Sequence, residues 1–278
     1  MIEKRRTLAG VLSWIGLGLL VAFVFIAIFA QFLAPYDPLS FVGSPNQPPS
    51  PDHLMGTDFL GRDIFSRVLW GARSSLAIMA IGVVLALLIG FPVGLYSGYV
   101  GGPVDRVLVL IMDSVYAFPG LLLAALVALF LGKGVVNIGL AITVIYIPLY
   151  FRVTRNQTLS TREETYVEAA KALGARPGTI MFSYIAYNVL VSVPVIFSLS
   201  AADAILTAAG LSFLGFGLER PMPDWGLDLS DAQRFLDNGV WWASFFPGFM
   251  IILLTVGLSF LSEGFSDLVN PLLKKERA

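Results

Sequence analysis

An all-α integral membrane protein with six transmembrane helices is the fold class this sequence predicts, on its apolar bulk, the length of its apolar runs and the distribution of its positive charge. Of the 278 residues, 56% are hydrophobic and 13% charged, against about 45–50% apolar and about 25% charged in soluble domains. Lipid is therefore the solvent of this fold. Crossing about 30 Å of hydrocarbon takes about 20 helical residues, because every backbone N–H and C=O must pair within the segment. Six runs reach that length, over residues 10–33, 73–96, 105–130, 135–152, 187–212 and 242–262.

The first run follows Lys4, Arg5 and Arg6, as a signal peptide would, but it is far longer than the about 7–15 apolar residues of a cleavable segment. It reads as a retained span. An even number of spans puts both termini on one side, and basic residues resist translocation. Twelve of the 18 Lys and Arg fall on the side of the termini: three before the first span, Arg106, five from Arg152 to Arg176, and Lys274, Lys275 and Arg277. Arg62, Arg67, Arg73, Lys133, Arg220 and Arg234 fall on the other. Both termini are expected to be cytoplasmic, in a single membrane domain over 1–278.

The segment after the first span, 34–72, carries Pro35, Pro38, Pro45, Pro48, Pro49 and Pro51, which donate to no helix or sheet ladder. It is expected to be an extended external arm ending in a short amphipathic piece. A second external loop, 213–241, holds Glu219, Asp224, Asp228, Asp231 and Asp237, with Trp225, Trp241 and Trp242 suited to the membrane interface.

The cytoplasmic connection at 154–184 is the most structured of the loops. Thr161-Arg162-Glu163-Glu164 has the pattern of a capping box, in which hydroxyl and carboxylate each satisfy the other's orphan amide. A helix is expected from there to Leu173, with Gly174 as its C-terminal cap and Pro177 opening a second short helix. Tyr166, Ala169, Ala170 and Leu173 recur at spacings of three and four and form one apolar stripe, while Glu164, Glu168 and Lys171 lie on other faces.

The run Glu168-Ala169-Ala170-Lys171-Ala172-Leu173-Gly174, in this loop, resembles the "EAA" coupling loop of ABC importer permeases. Gly56-Thr57-Asp58, Gly61-Arg62-Asp63, Arg67 and Gly71-Ala72-Arg73 are similar to the external signature of the dipeptide and oligopeptide branch. With Leu211–Gly215 and Trp225-Gly226 the resemblance covers nearly the whole chain and is closest to the C-type permease. It implies the MetI-like fold of type I importers, with Tyr166, Glu168, Ala169, Ala170, Leu173 and Gly174 docking on an ATPase. It implies a homologous second permease, two cytoplasmic ABC ATPases that bind the ATP and magnesium, an external solute-binding protein, and a location in the inner or plasma membrane. The chain departs from the family at Ile185-Ala186-Tyr187-Asn188, where relatives carry Ile-Leu-Pro-Asn, and at Ser262–Asp267, where they carry Gly-Asp-Gly-Leu-Arg-Asp.

Asp113 and Asp203 fall within spans, where a carboxylate faces a bundle interior or an aqueous cavity. Asp203 reads either as lining a translocation pathway, where it would meet an ammonium group, or as a hydrogen-bonded packing residue. Asp113, nearer the cytoplasmic end, reads first as structural, within reach of an arginine there. Pro92, Pro119, Pro148 and Pro194 interrupt spans and permit kinks. Arg62 and Arg73 read as fixing the arm through charge-assisted hydrogen bonds before they read as a docking surface.

Other functions lack their residues. With no cysteine and the single His53 in a Pro-rich loop, where an imidazole is most often solvated, neither a thiolate nor an imidazole metal centre is available. An intramembrane protease needs a Ser–His pair or a carboxylate dyad, and Asp113 and Asp203 have no Gly-x-Gly-Asp setting. The only Gly-Lys, Gly132-Lys133, is followed by Gly134, so no phosphate-binding loop is present. The near-zero net charge of −1 gives no basic surface for nucleic acid. A stand-alone secondary transporter or channel is the alternative, and it leaves the capped cytoplasmic helix unexplained.

Overall fold

The computed structural model describes residues 2–269, with side chains for 10–267. Lys274, Lys275 and Arg277, together with the side chains of Lys4, Arg5 and Arg6, six of the twelve basic residues behind the expected orientation, lie outside the described residues. Among the described residues, five helices are long and apolar enough to cross a membrane: α1 (Ile2–Leu33), α2 (Ile64–Val100), α5 (Val135–Thr161), α9 (Val193–Phe213) and α11 (Trp242–Val269). The run expected as the third span is instead two helices, α3 (Gly102–Tyr116) and α4 (Gly120–Leu131), which meet at 90°. Pro119 caps α4 with ψ 120° and disfavours helical backbone at Phe118 before it. At 12 residues, α4 is about 18 Å long and too short to cross alone.

The prolines divide into two kinds. Pro92 and Pro148 lie inside continuous helices, whereas Pro119 and Pro194 stand at helix starts, where a missing N–H costs nothing.

Helices α2 and α5 form the spine of the bundle. Gly82, Ala86, Gly90, Gly94 and Gly98 recur every four residues along one face of α2. A methyl group on Gly94 would stand 2.5 Å from the Phe151 carbonyl oxygen, and one on Gly90 2.7 Å from Cβ of Tyr150. Lipid tails are as apolar as side chains, so helices in a bilayer associate by close packing, and small residues permit it. Ile78, Val83, Ile138 and Ile142 fill the centre together with Ala201, Ala204, Ile205 and Leu254. On the outer side α1 lies against α11, with Gly16 close to Gly257 and Phe23 edge-on to Trp225 at 5.9 Å.

The remaining elements gather at the two ends of α2. At its N-terminal end lie the 34–63 segment and the 214–241 loop with α10 (Trp225–Ala232). At its C-terminal end lie the start of α3, the end of α5 and the segment α6 (Thr165–Ala172), α7 (Pro177–Thr179) and α8 (Ala186–Leu190), α7 and α8 being joined by a π-helical turn over Ile180–Ile185.

The arm is not extended. It folds back on itself: Val42 N–H donates to Gly61 C=O (2.9 Å), Asn46 N–H to Asp58 C=O (2.9 Å) and Thr57 N–H to Gln47 C=O (3.0 Å). These longer-range bonds satisfy a proline-rich backbone that cannot form a ladder of its own. No separate amphipathic piece follows it, because α2 begins at Ile64 and runs unbroken into the span.

Gly94→Leu is expected to force α2 and α5 apart at a cost of about 3 kcal/mol, while Gly18→Leu, which meets nothing within 4 Å, leaves stability unchanged. Denaturant unfolding of the purified protein in detergent distinguishes the two.

Candidate functional site

Three polar or exposed features stand out on this scaffold, one at each end of α2 and one between the helices.

At the N-terminal end, seven of the eight external-signature residues, Gly56, Thr57, Asp58, Gly61, Arg62, Asp63 and Arg67, are buried, and Arg73 alone is exposed. Asp63 caps α2, accepting from the Ser66 N–H at 2.8 Å and its hydroxyl at 2.7 Å. Its other oxygen meets Nδ1 of His53 at 3.0 Å. His53 is therefore buried at 6% exposure rather than solvated, because the cap draws it in. Asp58 takes the Leu60 and Arg62 N–H groups on one oxygen and Arg62 Nε, at 2.6 Å, on the other.

Arg67 joins the arm to the distant loop. Its guanidinium donates to Asp228 at 2.5 Å and to the carbonyls of Pro38 and Pro221, each at 3.1 Å. Arg73 lies over Trp70 at 5.7 Å and makes no such link. Of the tryptophans expected at the membrane interface, Trp225 is in the core, under Gly71, with Nε1–H donating to Val68 C=O at 2.9 Å. An indole packed on a glycine closes α10 onto α2. Trp242 is also buried and donates to Thr57 C=O, while Trp241 is half exposed.

Asp224 caps α10, accepting from Leu227 N–H (2.8 Å) and the Ser212 hydroxyl (3.1 Å). Burial raises its carboxyl from 3.8 to about 6, since nothing cationic offsets the lost hydration.

Between the helices, at the α3–α4 bend, is an open groove of about 660 Å³, lined by Tyr116, Phe118 and Leu121 on one side and Tyr146, Ser200 and Asp203 on the other. Asp203 is exposed to it, and the Tyr146 hydroxyl donates to its Oδ2 at 2.5 Å. Asp113 does not reach the groove. It pairs with Arg152 at 2.7 Å, and Arg152 stacks on Tyr116 at 4.4 Å, the arginine contact expected for a carboxylate near that end.

At the C-terminal end of α2, α6 starts at Thr165 behind Glu164, whose side chain makes no cap bond. The capping box is not formed, because α5 continues through Thr161 and holds it in its last turn. The other terminus is as expected. Gly174 has φ +80°, and Ala175 N–H reaches Ala170 C=O while Gly174 N–H reaches Lys171 C=O, both at 3.0 Å, a Schellman closure.

The expected stripe divides. Ala170 turns inward with Val167 against Leu95, Ile180, Ile185 and Val189. Tyr166, Ala169 and Leu173 face outward with Glu168, and Leu173 is 88% exposed. The proline-free element is helical here, and its Asn188 donates to the Tyr166 hydroxyl at 2.9 Å. Sequence reasoning missed the neighbouring Asp105–Arg155 pair (2.5 Å), buttressed by Ser97 at 2.6 Å. The only signal for it was an acid just after the second span and the basic spacing of Arg152 and Arg155. Among the described residues no group of three or more His, Asp or Glu is placed to hold a metal ion.

Residues 90–275 match the family described as "binding-protein-dependent transport system inner membrane component". Residues 5–49 match the "N-terminal TM domain of oligopeptide transport permease C". Relatives include the dipeptide transport system permease protein DppC of Alkalihalophilus pseudofirmus, 39% identical over 95% of this chain and 86% of that relative. The glutathione transport system permease protein GsiD of Pectobacterium atrosepticum is 39% identical over 90% of this chain and 83% of its own. GsiD of Escherichia coli O157:H7 is 37% identical, with coverages of 91% and 84%.

Two outcomes follow from the arm and its loop. Arg67→Met strands Asp228 in the interior and is expected to cost about 3–5 kcal/mol, most of it recovered in Arg67→Met/Asp228→Leu; denaturant titration of the three proteins measures this. The raised Asp224 carboxyl holds its proton to higher pH folded than unfolded. Its contribution is therefore full below about pH 4 and lost as pH rises through about 6. Asp224→Asn is expected to remove that slope, on the order of 2–3 kcal/mol, from the melting profile read by tryptophan fluorescence.

Proposed function

The chain belongs to the family of binding-protein-dependent transport system inner membrane components, and on that premise we propose that it is one of two homologous permease subunits of an ATP-driven importer of peptides or peptide-like solutes. As a transport component it carries no catalytic site of its own. In this reading the bent pair α3–α4 counts as one span, giving six with both termini in the cytoplasm. The 34–72 and 213–241 segments then face outward toward a solute-binding protein. The 154–184 connection faces the cytosol and two separate ATPases.

The observation that carries the reading is the two-sided character of α6. Its inner face, Val167 and Ala170, is locked by apolar contact onto Leu95 of α2 and Ile185 before α9. Its outer face presents Tyr166, Ala169 and an almost fully exposed Leu173. Outside the bilayer the hydrophobic effect acts in full, and burying a leucine there is worth about 2 kcal/mol. A solvent-facing leucine on a rigid helix is a surface made for a partner.

Gly174 fixes where that helix stops, and its φ of +80° strains any residue with a side chain. When the ATPases close on ATP, α6 moves with them. Through Leu95 and the π-helical turn over Ile180–Ile185 the displacement enters α2 and α9, a rigid-body transfer between packed elements. The groove between α4, α5 and α9 is then this subunit's half of the pathway, with Asp203 on its wall and the Asp113–Arg152 pair one turn beyond it.

A stand-alone carrier would have no use for the exposed face of α6. Leu173→Asp and Glu168→Lys are expected to leave the melting temperature of the isolated subunit unchanged while reducing substrate-stimulated ATP hydrolysis of the reconstituted complex roughly tenfold or more. Undiminished hydrolysis in both variants would sink the assignment.

A further inference from the structure

Asp203 sits on the groove wall with three hydroxyl-bearing neighbours and no cation. Tyr146 donates to its Oδ2 at 2.5 Å, Ser200 and Thr207 line the same groove, and the Tyr150 and Ser200 oxygens stand 2.5 Å apart beside it. Among the described residues no Lys, Arg or His forms an ion pair with Asp203. The other intramembrane acid does have such a partner, Arg152 for Asp113, and so does Asp105 at the start of α3. The two acids of α3 are thus each paired with an arginine of α5, and Asp203 is not.

A carboxylate held inside a membrane at such cost calls for a cationic counterpart. The groove, about 660 Å³, is within the range of small-molecule sites. Its remaining wall is apolar and aromatic: Tyr116, Phe118, Leu121, Ile145 and Leu149. One anionic point on an apolar wall selects for a small solute with an ammonium group and an apolar body.

Resting on the permease reading above, we propose that Asp203 is a specificity-determining residue of the transport groove, receiving the primary ammonium group of the passing solute, with Tyr146 as the positioning residue that holds the carboxylate toward it. One carboxylate oxygen is committed to the Tyr146 hydroxyl. The other is left to accept from an N–H of the ammonium, a charge-assisted bond of the stronger kind.

The test uses the assembled complex in proteoliposomes with its binding protein, and two peptides of the same sequence, one with a free amino terminus and one whose amine is replaced by hydrogen. Both are supplied at concentrations that saturate the unaltered binding protein. Asp203→Asn keeps the size of the side chain and removes its charge. It is expected to lower import of the amine-bearing peptide by roughly tenfold while import of the des-amino peptide holds or rises. Tyr146→Phe keeps the ring and is expected to shift the same ratio in the same direction by less, and it carries the test should the first variant fail to assemble.

An unchanged import ratio in both variants overturns the proposal and leaves the permease reading standing. Equal loss of both peptides also overturns it and assigns the carboxylate to a contact with the second permease subunit. If the unmodified complex imports neither peptide, it is the peptide reading itself that fails.

Discussion

The close approach of α2 to α5 is the constraint on which the rest of this structure depends. In lipid no hydrophobic gain draws helices together, so they must touch along surfaces small enough for backbones to meet. Gly82, Ala86, Gly90, Gly94 and Gly98 supply that surface. Once the two are joined, α5 carries Tyr146 into the groove and Arg155 to Asp105. The 37-residue α2, about 55 Å long, then links the buried arginine knot at one end to the α6–α8 segment at the other.

This continuity gives the two ends different kinds of stability. At the arm, ion pairs and capping bonds replace regular structure: Arg62 pairs with Asp58 and Arg67 with Asp228, and the His53 ring hydrogen-bonds Asp63. Such pairs fix geometry more than they add free energy. At the other end α6 is held by aliphatic contacts, and its polar groups are satisfied locally by Gly174 and Asn188. The groove lies between these two ends.

How much was legible beforehand varies with the range of the interaction. Helix α6 was read nearly to the residue at its C-terminal side, because a Schellman closure is set by Gly174 and its immediate neighbours. Its N-terminal side was misread, since Thr161 belongs to whichever helix claims it, and α5 is the longer. The break in the third run was missed for a related reason: apolar length over 105–130 is the same whether the chain runs straight or turns at Phe118-Pro119. Burial of Trp225 and His53 left no local trace, as each depends on a residue or gap supplied from elsewhere, Gly71 for the indole and Asp63 for the imidazole.

The sequence by itself determined that lipid is the solvent, that six apolar runs are present, and that a short helix closed by Gly174 lies in the polar connection after α5. Those properties follow from composition, run length and φ preferences, all of which act over a few residues. Tertiary structure alone decided which acids are paired and which is left open. Arg67 meets Asp228 across 161 positions, and Asp203 faces a groove that exists only because α3 and α4 bend apart. Pairing of charges depends on distance in space, and no local pattern encodes it.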